Sequence, residues 1–197
     1  EGGRAHALQL DVTVRASVRR ALAATLERFG RVDSCFANAG GAGVRKPFVE
    51  LTEEDWDYAL ALNLKSVVFT LRAAARQMMA QGSGGKLVVT SSVAALLGLP
   101  GGAYSSTKAA VTGLVRSLGV ELAPAGIQAN AILPGFIETE MSLRTPKFFQ
   151  DSCRRRTPSG QLGTLEDMEG IAVFLAAKES RLVTGQTIVI DGGQYFH

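Results

Sequence analysis

Lys86-Leu-Val-Val-Thr-Ser-Ser92 opens a stretch that continues, after a glycine- and proline-rich loop, with Tyr104-Ser-Ser-Thr-Lys-Ala-Ala-Val-Thr-Gly-Leu-Val-Arg-Ser-Leu-Gly-Val-Glu-Leu122 and Ile127-Gln-Ala-Asn-Ala-Ile-Leu-Pro-Gly135. The first part, Lys86 to Thr90, is short and valine-rich, as a buried strand is. The second places Ala110, Leu114, Leu118 and Leu122 on one stripe at helical spacing, and Pro124-Ala-Gly126 stops it. The third, Ile127 to Leu133, is again a buried strand, closed by Pro134-Gly135. Strand, helix and strand in succession imply a right-handed crossover between two parallel strands.

The same alternation extends outward in both directions. Upstream, Ala7 to Leu10 is a short strand candidate ending at Asp11, and Val14, Val18, Leu22, Leu26 and Phe29 recur helically up to Gly30. Val32 to Ala37 is another buried strand, followed by Asn38-Ala39-Gly40-Gly41. Thr52 with Asp55 forms a capping-box-like start to a long, kinked helix carrying Trp56, Leu60 and Leu64 and running through Phe69 to Met79. Downstream, Thr164 and Asp167 open a helix, and Thr187 to Ile190 is the last strand, before Asp191-Gly192-Gly193. The expected fold is α/β: a doubly wound parallel sheet in a three-layer α/β/α arrangement, with residues 1–197 as a single domain. In such sheets ligands sit beyond the carboxyl ends of the strands. Asp11, Asn38 to Gly40, Ser91-Ser92 and Pro134-Gly135 all follow strands.

Composition excludes several functions. No apolar run approaches the roughly 20 residues of a membrane helix, so no membrane span is expected. The net charge is only +3 and the basic residues are scattered, so no nucleic-acid surface is expected. The one dense cluster, Arg154-Arg155-Arg156, reads as a solvated loop or as the face of an anionic partner. Two cysteines make no disulfide framework, and a reducing, cytoplasmic setting follows. Cys35 lies in an apolar run and reads as a small core residue. Two histidines and no paired cysteines leave no metal site, and there is no Gly-x-Ser-x-Gly elbow for a hydrolase.

Tyr104 and Lys108, four apart on a helix, present both side chains on one face. A phenol ionises near pH 10. An ammonium about 4 Å away at an effective dielectric of about 20 contributes about 4 kcal/mol, enough to bring it near neutrality. The spacing alone also fits a surface pair. Ser92 ends a strand just before this helix, where a hydroxyl can meet the same carbonyl oxygen as the phenol and stabilise developing negative charge. A locally hydrogen-bonded loop serine is the plainer alternative. Asn63 sits mid-helix in Leu-Asn-Leu-Lys, where a buried amide needs partners from a water or a bulged backbone. A structural and a relay role are equally open to it on these grounds.

Asn38-Ala39-Gly40, Asn63, Ser91-Ser92, Tyr104-Ser-Ser-Thr-Lys108, Pro134-Gly135 with Thr139, and Asp191-Gly192-Gly193 occur in an order that resembles the short-chain dehydrogenase/reductase family over essentially the whole chain. The resemblance implies a Rossmann-like NAD(P)-binding domain that interconverts an alcohol and a ketone or aldehyde, with NAD or NADP as cofactor. Tyr104 would be the general acid/base, Lys108 would lower its pKa and hold the nicotinamide ribose, Ser92 would polarise the carbonyl, and Asn63 would hold a water linking Lys108 to solvent. Asp11 and Val12 would meet the adenine, and Asn38, Ala39 and Gly40 the middle of the cofactor. Pro134, Gly135, Ile137 and Thr139 would frame the nicotinamide. Relatives in the family imply a homodimer or homotetramer through helices at 53–80 and 104–122.

The chain departs from the family at its start. The strand, glycine-rich turn, helix and second strand that bind pyrophosphate have no counterpart here, and neither Gly40-Gly41-Ala-Gly43 nor Gly82-Ser-Gly84-Gly85-Lys86 substitutes for them. The expectation is an N-terminally incomplete domain, short by several tens of residues. The Ala7 strand would then lack a neighbour and the Val32 strand would be an exposed edge. The loop Leu99-Pro-Gly-Gly-Ala is also about one residue short of the family pattern. The segment Glu138 to Gly163 reads as a substrate lid, mixed apolar and basic, suited to a medium-sized carbonyl compound that can be anionic. The family's acid or base that selects NAD over NADP falls in the absent segment, so the choice is open. A catalytically silent, truncated dehydrogenase acting as a binding or scaffold protein is the competing reading. It gives no reason for Asn63, Ser92, Tyr104 and Lys108 to occur together.

Overall fold

The valine-rich stretch forms β2 (Gly85–Thr90), an interior strand of a four-stranded sheet in a computed structural model that describes residues 3–195. β1 (Ser34–Ala37) pairs with it on one side and β3 (Ile127–Pro134) on the other, and β4 (Thr187–Ile190) pairs with β3. All three pairings are parallel, with Cys35 opposite Leu87 and Leu87 opposite Ala129.

Helices fill the crossovers. α1 (Arg15–Phe29) precedes β1 and ends at Gly30, whose φ of 80° lets its N–H return to the Leu26 carbonyl. α2 (Glu53–Leu60) and α3 (Ser66–Gln81) connect β1 to β2, and α4 (Ala103–Glu121) connects β2 to β3. Between β3 and β4 lie α5 (Glu140–Leu143), α6 (Lys147–Arg156) and α7 (Glu166–Ala176).

Side chains alternate across the strands and build two cores. Leu87, Val89, Ile127, Ala129, Ala131 and Leu133 face α1, α3 and α4, where Leu71, Met78, Val111 and Val115 bury against them. Val88 and Ile132 face the opposite way, against Leu175 of α7. The doubly wound, three-layer expectation therefore holds.

Three local expectations change. Residues 7–10 form no strand; Leu8 and Leu10 are exposed, as expected of a segment with no strand to pair with. The second strand begins at Ser34 rather than Val32, and among the described residues β1 is an edge, with Phe36 39% exposed on the α7 side. Arg154, Arg155 and Arg156 are solvated, but they form the last turn of α6 rather than a loop, where cations complement the helix dipole. The kink between α2 and α3 is a π turn, Ala61–Lys65, with Asn63 at its centre. Cys35 is a core residue, its thiol pushed up to about 11 by burial.

Candidate active site

The site is assembled where β1, β2 and β3 end. Thr90, the last residue of β2, turns its carbonyl to the Lys108 ammonium at 2.8 Å, and Ser91 Oγ donates to the Lys108 carbonyl at 2.7 Å. These two bonds fix the rotation of α4 against the end of β2. Lys108 is 5% exposed, and its Nζ lies 5.7 Å from the centroid of the Tyr104 ring.

The π turn gives the mid-helix asparagine its partners. Asn63 is 1% exposed, and its amide makes two bonds to one residue: Oδ1 accepts from the Gly41 N–H at 2.9 Å and Nδ2 donates to the Gly41 carbonyl at 3.0 Å. A bulged helix turn thus clamps the loop that leaves β1. The adjacent Gly40 explains why that loop is glycine-rich. A Cβ at position 40 would lie 2.9 Å from Asn63 Oδ1 and 3.3 Å from Lys108 Nζ, so a side chain there would fill the space above both polar groups.

Ser92 starts a turn and accepts the Ala94 N–H at 3.1 Å. It also hydrogen-bonds the Tyr104 hydroxyl, which favours the phenolate; the Arg45 charge favours it too. Burial opposes both and wins, so the Tyr104 pKa lies above the ordinary phenol value. Burial also lowers Lys108, to about 8. The expectation that Lys108 by itself brings Tyr104 toward neutrality is corrected here. The ammonium faces the ring and the Thr90 carbonyl, and its own charge is destabilised by the same burial.

The remaining residues divide into two groups. Val12, Asn38 and Ala39 line a groove of about 130 Å³ along the free side of β1, together with Leu10, Phe36 and Thr70. Asp11 is exposed; its carboxylate accepts from the Thr13 N–H at 2.9 Å and hydroxyl at 2.7 Å, which lowers its pKa. On the other side, Pro134 ends β3, and Gly135 donates to the Ile190 carbonyl at 2.8 Å. A Cβ on Gly135 would lie 2.7 Å from that of Asp191, which accounts for a glycine there. Ile137 pairs with Gly163 across the base of the lid, and Thr139 caps α5 in a capping box with Ser142. The Thr139 hydroxyl is therefore engaged within the lid. The segment Glu138 to Gly163, expected as a lid, contains α5 and α6.

Three contributors escaped the sequence reading. The Thr90 carbonyl carries no sequence signal, since any residue offers one. Gly41 had a signal, a second glycine directly after a strand, but only Gly40 was taken as functional. Arg45 sits in Val-Arg-Lys-Pro47, just after Gly40-Gly41-Ala-Gly43, and carries no motif of its own.

Comparison with known proteins gives the same family as the site geometry. A family model described as Enoyl-(Acyl carrier protein) reductase matches residues 1–195. The chain is 40% identical to the short-chain dehydrogenase/reductase eriH of Hericium erinaceus over 186 residues, 93% of this chain and 73% of that one. A solved short-chain type dehydrogenase/reductase from Mycobacterium marinum superposes with a TM-score of 0.94 at 32% identity, covering 100% of this chain and 78% of the other. A gluconate 5-dehydrogenase from Burkholderia cenocepacia, solved with NADP and tartrate, gives 0.87 at 37% identity, covering 94% and 73%. The chain belongs to the short-chain dehydrogenase/reductase family, NAD(P)-dependent oxidoreductases that act on CH–OH groups.

Proposed function

We propose that Tyr104 is the acid/base of this oxidoreductase, giving a proton to a carbonyl oxygen on reduction and taking it back on oxidation. The observation that carries the reading is the convergence of Asn63, Lys108 and Gly40 on one point beside the Tyr104 ring. Three sequence-distant segments meet there, and two of the groups, Asn63 and Lys108, are polar side chains buried at some energetic cost. Ser92, within hydrogen-bonding reach of the phenol, positions the same oxygen.

The residues present fit part of a dinucleotide site. Asn38, Ala39 and Gly40 are exposed at the end of β1, and the space over Gly40 is one that a side chain would fill. NAD or NADP, when bound, supplies or accepts the hydride. In this reading Asp11 and Val12 border the adenine, Asn38, Ala39 and Gly40 the centre, and Tyr104 and Lys108 the nicotinamide ribose. Pro134, Gly135, Ile137 and Thr139 then close over the nicotinamide. For Thr139 this requires its hydroxyl to leave the capping box or to present its second lone pair. Residues 1–197 act as one NAD(P)-binding domain on a small-molecule alcohol or carbonyl compound in the cytoplasm. Among the described residues no helix is long and apolar enough to cross a membrane, and no cluster of metal-ligating side chains occurs.

Titrating the protein with NADH and NADPH, followed by nucleotide fluorescence, tests the reading. Saturable binding of at least one is expected. Binding of neither would favour the silent scaffold.

The oligomer is part of the same proposal: a homodimer or homotetramer through α2, α3 and α4. Arg15 and Arg19 of α1 and Arg72 and Arg76 of α3 line one groove, with no ion pair to any of the four among the described residues. Glu53, Glu54 and Asp57 lie at the opposite end of the same helical rod. Antiparallel self-pairing lays the acidic end of one copy on the basic groove of the other. Sedimentation velocity should show a dimer at low salt that weakens as salt rises; a monomer throughout would refute it.

A further inference from the structure

The loop between β1 and α2 is pinned against the approach to Tyr104. Lys46 Nζ is tied to Asp55 Oδ2 at 2.8 Å, inside the capping box of α2. A Cβ on Gly101 would lie 3.1 Å from the Lys46 carbonyl, and one on Gly102 would lie 3.6 Å from the Phe48 ring. The residue beside Lys46, Arg45, reaches over the lid instead. Its guanidinium carbon is 5.5 Å from the centroid of Phe149 in α6, and Phe149 packs at 6.1 Å on Phe136, the residue after Gly135. Arg45 is thus a bridge between the loop after β1 and the end of β3.

Its charge is uncompensated. Four neighbouring cations have partners: Arg144 with Glu140, Lys147 with Asp151, Arg154 with Glu138, and Lys46 with Asp55; Arg155 and Arg156, at the end of α6, have none among the described residues. Among the described residues no carboxylate pairs with Arg45. The guanidinium lies over the Phe149 ring, and its N–H groups make no hydrogen bond among the described residues, which leaves them able to take a carboxylate through two parallel hydrogen bonds. Burial raises the pKa of both Tyr104 and Cys153; the field of Arg45 opposes it at each, behind the Ser92 hydrogen bond at Tyr104 and behind Arg156 at Cys153.

We propose that Arg45 is the specificity-determining residue of the site and that it binds the carboxylate of a hydroxy acid or its oxo-acid counterpart. The inference rests on the reading of Tyr104 given above, because the field of Arg45 reaches the phenol that would meet the reacting carbonyl. Lys46 is not an alternative anchor, because Asp55 already neutralises it.

Calorimetric titration of the protein without cofactor, with gluconate against sorbitol, tartrate against threitol, and levulinate against 2-pentanone, separates the two proposals. The wild type is expected to prefer at least one acid over its neutral counterpart by about 10- to 100-fold, the worth of a charge-assisted pair. Arg45→Met should abolish that ratio and Arg45→Lys should keep part of it. A wild type with no acid preference, or a preference that survives Arg45→Met, overturns the assignment. Failure of the NADH and NADPH titrations would instead sink the function of Tyr104 and leave the Arg45 ratio readable.

Discussion

Replacing Tyr104 by Phe is expected to lower kcat by about 10³-fold or more, within the 10²–10⁴ range of a positioned proton donor, while leaving NAD(P)H affinity nearly unchanged. The ring packing survives the substitution and only the hydroxyl is lost, together with its bond to Ser92. The pH dependence of the wild type makes the test sharper. Burial holds the Tyr104 pKa above the ordinary phenol value, so the protonated form, the acid needed for carbonyl reduction, persists throughout the neutral range. Reduction should therefore be nearly independent of pH there. Oxidation needs the phenolate and should climb as pH rises, up to tenfold per unit while pH stays below the pKa. Steady-state rates in both directions, with Tyr104→Phe as the reference, check both statements. An oxidation rate that is flat with pH would remove Tyr104 from the base role.

Lys108→Met should separate activity from stability in opposite directions. The folded protein lowers the lysine from its ordinary 10.5 to about 8 because burial disfavours the ammonium. At 1.36 kcal/mol per unit this is a destabilisation of about 3 kcal/mol. Its sign follows from the direction of the shift. A cation whose pKa is depressed on folding destabilises the native state fully below pH 8, and the cost fades as pH rises toward 10.5. Methionine removes that cost but leaves the Thr90 carbonyl without its 2.8 Å donor, a loss of about 1–2 kcal/mol. The net expectation is a gain of about 1–2 kcal/mol at pH 7, or a rise in Tm of about 2–8 °C, shrinking above pH 8. Activity should fall by about 10²-fold or more. Thermal melts at pH 7 and pH 10 decide it, since a variant less stable than wild type at pH 7 would contradict the desolvation account.

Most of the layer structure was legible because it rests on periodicity. Val14 through Phe29 at helical spacing, the valines of β2 and the stripe from Ala110 to Leu122 each state their element locally. The Thr52–Asp55 capping box was also readable, because its two bonds span only three residues. Ala7 to Leu10 failed for the opposite reason. A strand is completed by its neighbour, and an apolar run without one stays irregular. In the site, Tyr104 and Lys108 were legible as a pair on one helix face, but their electrostatics were not. Burial of both groups is a property of the assembled strand ends, and it reversed the expected sign at Tyr104. The Asn63 clamp on Gly41 spans 22 residues in sequence and a non-standard helix turn, so the asparagine could be flagged as anomalous while its partner stayed hidden.

The π turn at Ala61–Lys65 also acts as a phase shift. An α-helix advances about 100° per residue, and a wide turn absorbs one extra residue, so α2 and α3 keep separate angular origins. α2 is set by its capped start at Thr52, and α3 by the face that buries Leu71, Ala74 and Met78. Asn63 belongs to neither count. Removing one residue here would heal the rod into a continuous helix and swing Asn63 off Gly41 in the same step. Losing the chemistry is thus easier for the chain than keeping it. A relative that has kept the sheet but abandoned the reaction should be recognisable by a helix one residue shorter at this point.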